Sequence, residues 1–233
     1  MKLLDTTGAN SKLAKTNRGD AYRVAGLSLM PSRALCPWAI KAGCFDVCLE
    51  SAGMGVFSNV KAGRQAKANF YMEDCEAFLA QLCRELQNWE KLCIRKGVKP
   101  AVRLNVLSDI QWERHGIPQK FPNIFFYDYT KIAHRIGKTP KNYKLMFSYS
   151  GAAGYRPAVE KAIAADCPIA VVFRDSNFPE TFLGRPVVNG DASDLDNVVS
   201  GRVIIGLKAK GKAVKGQTDF IVETFNIVAR QAA

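Results

Sequence analysis

The residues that point most directly to chemistry are three cysteines, Cys36, Cys44 and Cys48, in the stretch CPWAIKAGCFDVC. Their spacing is C-x7-C-x3-C. Thiolates bind soft and borderline metal ions, and ligands that are close in sequence reach one metal with little loss of chain entropy. An odd number of thiols does not make a self-contained disulfide framework, and no fourth cysteine lies nearby to complete a zinc knuckle. We therefore predict a metal site with these three ligands.

An iron–sulfur cluster suits three cysteines on one loop, because three thiolates hold a 4Fe–4S cluster and leave the fourth iron open. Two alternatives stay open. A closed zinc site needs a fourth ligand from elsewhere in the chain, and the only histidines are His115 and His134. Alternatively, the three thiols are buried and act as small apolar side chains.

The remaining cysteines have the setting of core residues. Cys75 and Cys93 fall on a stripe of apolar residues that recur every three or four positions, which predicts a helix over 75–93. Cys83 lies within the same helix, and Cys167 opens a predicted strand. We expect these thiols to pack in the core.

No part of the sequence predicts a membrane segment or a secretory signal. Apolar runs stay below the roughly 18 residues needed to cross a bilayer. The first residues, MKLLDTTGANSKLAK, contain no apolar run followed by a cleavage motif. We therefore expect a protein of the reducing cytoplasm, in which the seven cysteines do not form disulfides.

Positive charge is the other global feature. The chain has 33 Lys and Arg against 21 Asp and Glu, a net charge of +12, and the excess is spread over both halves. A basic surface attracts nucleic acid or an anionic small molecule, and it also serves solubility. A local concentration is formed by Lys208, Lys210, Lys212 and Lys215. The oligomeric state has no signature in the sequence.

The elements that would position these residues alternate between strands and helices. Besides 75–93, the pattern predicts helices over 57–71 and 154–166. Short apolar runs that break into polar residues predict strands. These runs span 22–31, 101–109, 123–131, 143–151, 168–175, 185–191 and 202–211.

Such alternation favours βα units around a parallel sheet. We predict an α/β fold, a partial or closed (β/α) TIM-like barrel with short helices and the cysteine loop after the first strand. An open doubly wound sheet is the competing architecture, but no GxGxxG motif follows a strand. We expect a single domain over 1–233, with an extended lead-in over 1–22, a barrel-like core over 23–211 and a C-terminal segment over 212–233.

Polar side chains collect at the carboxyl ends of the predicted strands, where barrels and open α/β sheets build their sites. Asp109, Asp128 and Lys131 are the candidate catalytic groups. Arg174 or Lys208 would neutralise a carboxylate or phosphate of an anionic substrate. For any one of these residues, the alternative is a polar side chain where a strand reaches the surface. The candidate cofactor-binding residues are Asn105, Ser108, Asp109, Ser148, Ser150, Arg174 and Lys208.

An ordered set of short motifs carries a family resemblance. Between about residues 8 and 211 the chain contains TGANSKLAKT, LSLMP, CPWAIKAGCFDVC, RLNVLSD, FFYDYTK, LMFSYSG, VVNGD and IIGLKAKG. In this it resembles the bacteriophage proteins grouped as gene product 88. The resemblance implies a phage-encoded protein that acts in the cytoplasm of a bacterial host, and it implies little chemistry.

The chain is more distantly similar to radical S-adenosylmethionine enzymes, in which a cysteine triad follows the first strand of a partial barrel. This likeness implies that Cys36, Cys44 and Cys48 hold a 4Fe–4S cluster, with S-adenosylmethionine on the open iron. The triad of this chain is C-x7-C-x3-C, whereas the triad of that family is usually C-x3-C-x2-C. The second strand ends in LNVLSD instead of a Gly-Gly-Glu-like stretch, so Ser108 and Asp109 are the oxygen acceptors there.

Two functions from different classes follow. The first is an iron–sulfur enzyme of unknown substrate, of radical type by resemblance. The second is a non-catalytic protein, stabilised by a cluster or by zinc, that binds nucleic acid. The stretches FFYDYTK and KNYKLMFSY interleave aromatic and basic residues, as single-strand binders do, although strand spacing also places these aromatics in the core.

Overall fold

The computed structural model describes residues 1–6, 21–199 and 201–224, so most of the predicted lead-in and the end of the C-terminal segment lie outside the described residues. The helices are α1 (Ser58–Glu73), α2 (Cys75–Arg95), α3 (Ile117–Lys120), α4 (Arg156–Ala164) and α5 (Asp194–Val199). The strands are β1 (Leu4–Asp5), β2 (Tyr22–Leu27), β3 (Lys99–Arg103), β4 (Phe125–Thr130), β5 (Tyr143–Ser148), β6 (Ile169–Phe173), β7 (Thr181–Phe182), β8 (Arg185–Asn189), β9 (Ile204–Lys208) and β10 (Ile221–Val222). Among the described helices, none has the length and apolar character needed to span a membrane.

The described strands form a mixed sheet of ten strands in the order β1-β2-β3-β4-β5-β6-β9-β8-β7, with β10 paired to β6 off this path. β1 and β7 pair antiparallel with β2 and β8. The pairs β2–β3, β3–β4, β5–β6, β6–β9 and β8–β9 are parallel. The predicted α/β class is therefore confirmed. Within the described residues the strand path ends at β7 without closing on β1, so the finer prediction of a barrel is not confirmed.

The chain divides into two compact units. Unit 1 comprises Met1–Cys36, Met54–Asp128 and Thr139–Lys144, and unit 2 comprises Pro37–Gly53, Tyr129–Lys138 and Leu145–Ala233. The cysteine loop is divided between them, because Cys36 belongs to unit 1 whereas Cys44 and Cys48 belong to unit 2.

Helix α2 supplies much of the core of unit 1. Asp74 caps its first turn by accepting a hydrogen bond of 3.0 Å from the Ala77 amide, which satisfies one of the amides that a helix start leaves without a partner. One stripe of the helix is buried, and this confirms the helix predicted over 75–93. The stripe begins one turn later than predicted, since Cys75 is only partly buried. Its buried members are Phe78, Leu82, Leu86, Trp89 and Cys93.

The N-terminal strand of unit 1 is held to α2 by a carboxylate. Glu85 accepts hydrogen bonds from the amides of Leu3 (2.8 Å) and Leu4 (2.7 Å). Lys67 on α1 donates to the Leu3 carbonyl at 2.7 Å. These contacts supply partners for backbone groups that β1 would otherwise leave unpaired on its outer edge.

Unit 2 is built on the parallel strands β6 and β9, which pair from Ile169↔Ile204 to Phe173↔Lys208. Because parallel strands are covered on both faces, they read as continuous apolar runs, and β6 is IAVVF. Strand β5 pairs with the first residues of β6 and β10 pairs with the last ones. The core between strands and α4 contains Phe147, Tyr155, Val159, Ala162, Val171 and Ile204.

Candidate functional site

The part of the cysteine loop in unit 2 is a compact turn. The Ala42 amide donates to the Trp38 carbonyl at 3.0 Å, and the Cys44 amide donates to the Ala39 carbonyl at 2.9 Å. Gly43 between them has φ +66°, a left-handed conformation that glycine adopts without strain. The turn fixes the backbone of Cys44.

Cys48 is anchored by the short turn that follows it. The Cys48 carbonyl accepts hydrogen bonds from the amide (3.3 Å) and the hydroxyl (2.9 Å) of Ser51. The same hydroxyl accepts a 3.0 Å bond from the Lys212 amide. Gly211, with φ +58°, lies so close that a Cβ there would be 2.6 Å from Ser51 Oγ. Segment 211–214 therefore buttresses the backbone at Cys48.

In unit 2, two of the predicted ligands and one candidate catalytic group interact electrostatically. Burial raises the pKa of the Cys48 thiol, the neighbouring Cys44 raises it further, and Lys131 lowers it. The Lys131 ammonium lies 5.3 Å from the centre of the Phe220 ring. Ionisation of the Cys48 thiol is therefore costly unless a further positive charge is present.

Cys36 is held in unit 1, beside the loop that follows β3. Its amide donates to the Ser32 carbonyl at 2.8 Å, and its thiol lies 3.5 Å from the Leu107 carbonyl oxygen as a donor. The Asp109 amide donates to the Leu35 carbonyl at 2.8 Å. In the described part of the chain, no three His, Cys, Asp or Glu side chains are grouped so that they could hold a metal ion. The described residues thus do not fit a ready-made cluster site.

Asn105 and Asp128 form a buried polar network in unit 1. One Asp128 oxygen accepts the Asn105 amide at 2.7 Å, and the other accepts the Tyr143 hydroxyl at 2.7 Å and the Asn105 side-chain amide at 3.2 Å. The Asn105 side-chain oxygen accepts from the Ser108 hydroxyl (2.8 Å) and the Trp112 indole N–H (3.0 Å). Asp128 is fully buried and Asn105 is only 2% exposed. The network therefore fixes the loop after β3 to β4.

In unit 2 the ends of β4 and β5 are joined by a tyrosine. The Tyr155 hydroxyl lies 2.9 Å from the Lys131 carbonyl oxygen and 3.2 Å from that of Ser148, and it donates to them. The Ser150 hydroxyl oxygen accepts the Ala152 amide at 3.2 Å. Ser148 and Ser150 are both buried, so the structure places them inside the unit and not on an open surface.

Arg174 follows β6, and its guanidinium is fully engaged within unit 2. It donates to the carbonyl oxygens of Ala213 (2.7 Å), Val214 (3.0 Å) and Gly216 (2.9 Å). It also forms an ion pair with Glu223. The five N–H donors of the guanidinium are engaged in these contacts, which hold segment 213–216 in place. An anionic ligand would have to compete with them.

Lys208, at the end of β9, is exposed, and its amide donates to an Asp191 oxygen at 2.9 Å. Two neighbouring lysines make ion pairs: Lys210 with Asp191, and Lys212 with Glu50 at 3.5 Å. Lys215 is exposed as well. The local basic cluster therefore lies at the surface of unit 2, with part of its charge already paired.

One group of reactive side chains has no counterpart in the sequence predictions. Tyr71 and His115 meet in unit 1, where the Tyr71 hydroxyl lies 2.9 Å from His115 Nε2. No short-range pattern connects Tyr71 to His115, which is 44 positions away in the sequence. The one available signal is that His115 is one of only two histidines.

These features define a mixed α/β protein with a cysteine loop whose backbone is fixed at Cys44 and Cys48 and a buried polar network after β3. The chain belongs to the Gene product 88 family of phage proteins, whose family model matches residues 2–224. The predicted resemblance to that family is thereby confirmed. No curated protein and no solved structure matches the chain.

Proposed function

We propose that the protein binds an iron–sulfur cluster, of the 4Fe–4S type, through the cysteine loop. The observation that carries the proposal is the backbone of the cysteine loop in unit 2, which the turn at Gly43 and the contacts of Ser51 fix at Cys44 and Cys48. These two soft ligands are four residues apart in the sequence and interact electrostatically with each other.

The electrostatics of the pair favour a metal as its partner. Burial and, to a smaller extent, Cys44 raise the pKa of Cys48, so a bare thiolate at Cys48 is costly. A metal cation removes this cost, because a coordinated thiol is deprotonated by the metal charge itself. The positive charge of Lys131 lowers the pKa of Cys48 and so also favours its thiolate form. The place of Cys36 in the ligand set rests on its sequence spacing alone.

The finer form of the proposal is a radical S-adenosylmethionine-type enzyme on a partial barrel. Its support is the parallel order of β2, β3 and β4, with the cysteine loop directly after β2. A phage protein of this kind would act in the host cytoplasm, where thiols stay reduced.

The test is anaerobic purification of the full chain, followed by analysis of iron, acid-labile sulfide and zinc, and by absorption near 400 nm. We expect iron and sulfide in about equal amounts and their loss in Cys44→Ser, Cys48→Ser and Cys36→Ser. Cys83→Ser is the matched control, a half-buried thiol on α2 that should retain the cluster. Absence of iron and sulfide after reconstitution, or equal retention in all variants, refutes the proposal.

Electron paramagnetic resonance of the reduced cluster tests the finer form. Addition of S-adenosylmethionine should change the spectrum if the cofactor occupies an open iron, and an unchanged spectrum would exclude the radical enzyme while leaving the cluster.

The alternative function is a zinc-stabilised nucleic-acid-binding protein. Its support is the exposed cluster of Lys208, Lys210, Lys212 and Lys215 and the net charge of +12. The same metal analysis distinguishes the two functions, since zinc without iron or sulfide favours this one. Binding to single-stranded nucleic acid should then weaken steeply as salt is raised.

A further inference from the structure

A hydrogen-bonded path connects Cys48 to segment 211–216 of unit 2. The Ser51 hydroxyl donates to the Cys48 carbonyl at 2.9 Å and accepts a bond of 3.0 Å from the Lys212 amide. The Ser51 amide donates to the same carbonyl at 3.3 Å. Because one hydroxyl is bonded to both segments, a displacement of segment 211–216 changes the support of the backbone at Cys48.

Close packing couples the same two segments. Val47, which precedes Cys48, is buried in an apolar cluster with Ala213 and Ile221. Gly216 lies so close to it that a Cβ there would overlap the Val47 side chain. Since a packed interior has few voids into which side chains could shift, a movement of this segment would also displace Val47.

Arg174 holds the same segment in place through its guanidinium. It donates to the carbonyl oxygens of Ala213, Val214 and Gly216 at 2.7, 3.0 and 2.9 Å. Its orientation is fixed by Glu223, whose carboxylate accepts from Arg174 Nε at 3.0 Å and also from Nη2. The Arg174 side chain is only 21% exposed. A planar guanidinium supplies five donors in fixed directions, which a lysine ammonium does not.

We propose that Arg174 is a positioning residue for the proposed metal ligand Cys48. It holds segment 211–216, and that segment fixes the backbone of Cys48 through Ser51. This role rests on the proposed metal site, and it replaces the anion-binding role predicted for Arg174 from its place after β6. An arginine that bound an anionic ligand would need donors for it, whereas all five N–H donors of Arg174 are engaged within unit 2.

The first test needs no metal. The reduced, metal-free full chain is alkylated with iodoacetamide, and the rate at each cysteine is measured by peptide mass spectrometry. In Arg174→Gln we expect the half-buried Cys48 thiol to be alkylated faster than in the native chain, because its backbone loses support. The rate at Cys83, a half-buried thiol in unit 1, should stay unchanged.

Arg185→Gln is the matched control. Arg185 is also buried in unit 2, and it donates to the carbonyl oxygens of Cys167 and Ile163 at 2.7 Å each. It also forms an ion pair with Asp166 at 3.3 Å. None of its described contacts involves the cysteine loop, so this variant measures the effect of general destabilisation. It should leave the alkylation rate of Cys48 at its native value.

The second test measures metal binding with Co²⁺ alone, whose thiolate absorption bands report ligation by cysteine. Loss of a group that orients a metal ligand weakens metal binding by about 10- to 100-fold, and we expect a change of this size in Arg174→Gln. Arg174→Lys should bind Co²⁺ as weakly. The lysine ammonium keeps a positive charge beside Glu223 but does not supply the fixed fork of donors, so charge alone should not restore the site.

Ser51→Ala breaks the path without altering Arg174, and it serves as the test if an Arg174 variant does not fold. It should raise the alkylation rate of Cys48 and weaken Co²⁺ binding in the same way. The positioning role is refuted if Cys48 keeps its native alkylation rate in either folded variant, or if Arg185→Gln raises that rate equally. Because alkylation needs no metal, its result is independent of the cluster, and absence of iron and sulfide refutes the cluster alone.

Discussion

Removal of the Tyr143 hydroxyl is the sharpest test of the buried network in unit 1. In Tyr143→Phe the ring stays, including its edge contact with Phe126 at 6.2 Å, so no cavity forms. What is lost is the 2.7 Å hydrogen bond to the fully buried Asp128 carboxylate. Hydrogen bonds to charged groups contribute about 1.5–3 kcal/mol. We expect the free energy of unfolding to fall by about 2 kcal/mol, near the middle of that range.

The matched control is Tyr155→Phe in unit 2. Tyr155 is also fully buried, but its hydroxyl donates to neutral carbonyl oxygens, for which the loss is about 0.5–1.5 kcal/mol. Urea unfolding followed by circular dichroism gives both values. A Tyr143→Phe change below about 0.5 kcal/mol, or one no larger than that of Tyr155→Phe, would show that Asp128 does not depend on this hydroxyl.

Two further outcomes are expected. Gly211→Ala should destabilise the protein by about 1–3 kcal/mol or more, because φ is +58° and the new Cβ would meet Ser51 Oγ at 2.6 Å. The control is Gly97→Ala, which measures the backbone cost alone because Gly97 has φ +67° and open space around it. Equal urea midpoints for the two variants would contradict the steric explanation. Burial raises the pKa of Cys167 from 9.0 to about 11, so its stabilisation is present below pH 9 and is lost as pH rises toward 11. The free energy of unfolding should therefore fall more steeply with pH in the native chain than in Cys167→Ala, by at most about 1.4 kcal/mol per pH unit, and parallel pH profiles would refute this.

The secondary structure was largely predictable from the sequence because its signals are local. The helix predicted over 75–93 is observed as Cys75–Arg95, and the strand predicted over 143–151 as Tyr143–Ser148. The predicted strands are longer than the observed ones, since an apolar run continues into the loop that buries its last side chains. Short elements such as α3 and β7 were missed, because two to four residues carry no readable period.

The candidate site was less predictable, because its geometry depends on contacts between distant segments. Asn105 was predicted to bind a cofactor and Asp128 to be a catalytic group, and the structure shows the two side chains bound to each other. Arg174 was expected to meet an anion, and the structure shows it bound to three carbonyls and Glu223. A polar residue after a strand has the same sequence pattern whether it serves a ligand or a neighbouring loop.

The cysteine loop shows the same limit. Its spacing predicted three ligands, but the turns that fix the backbone at Cys44 and at Cys48 involve Gly43 and Ser51, which the spacing does not reveal. That Cys36 is the third ligand stays a prediction.

The hydrogen bond from Trp112 to Asn105 has an optical consequence. An indole that is fully buried and donates its N–H to a fixed oxygen emits at short wavelength, and entry of water would shift the emission to the red. The chain has three tryptophans, and Trp38 lies in the cysteine loop itself, with the Lys41 ammonium 5.0 Å from its ring centre. Trp112 fluorescence therefore reports on the Asn105 network, and Trp38 fluorescence reports on the loop.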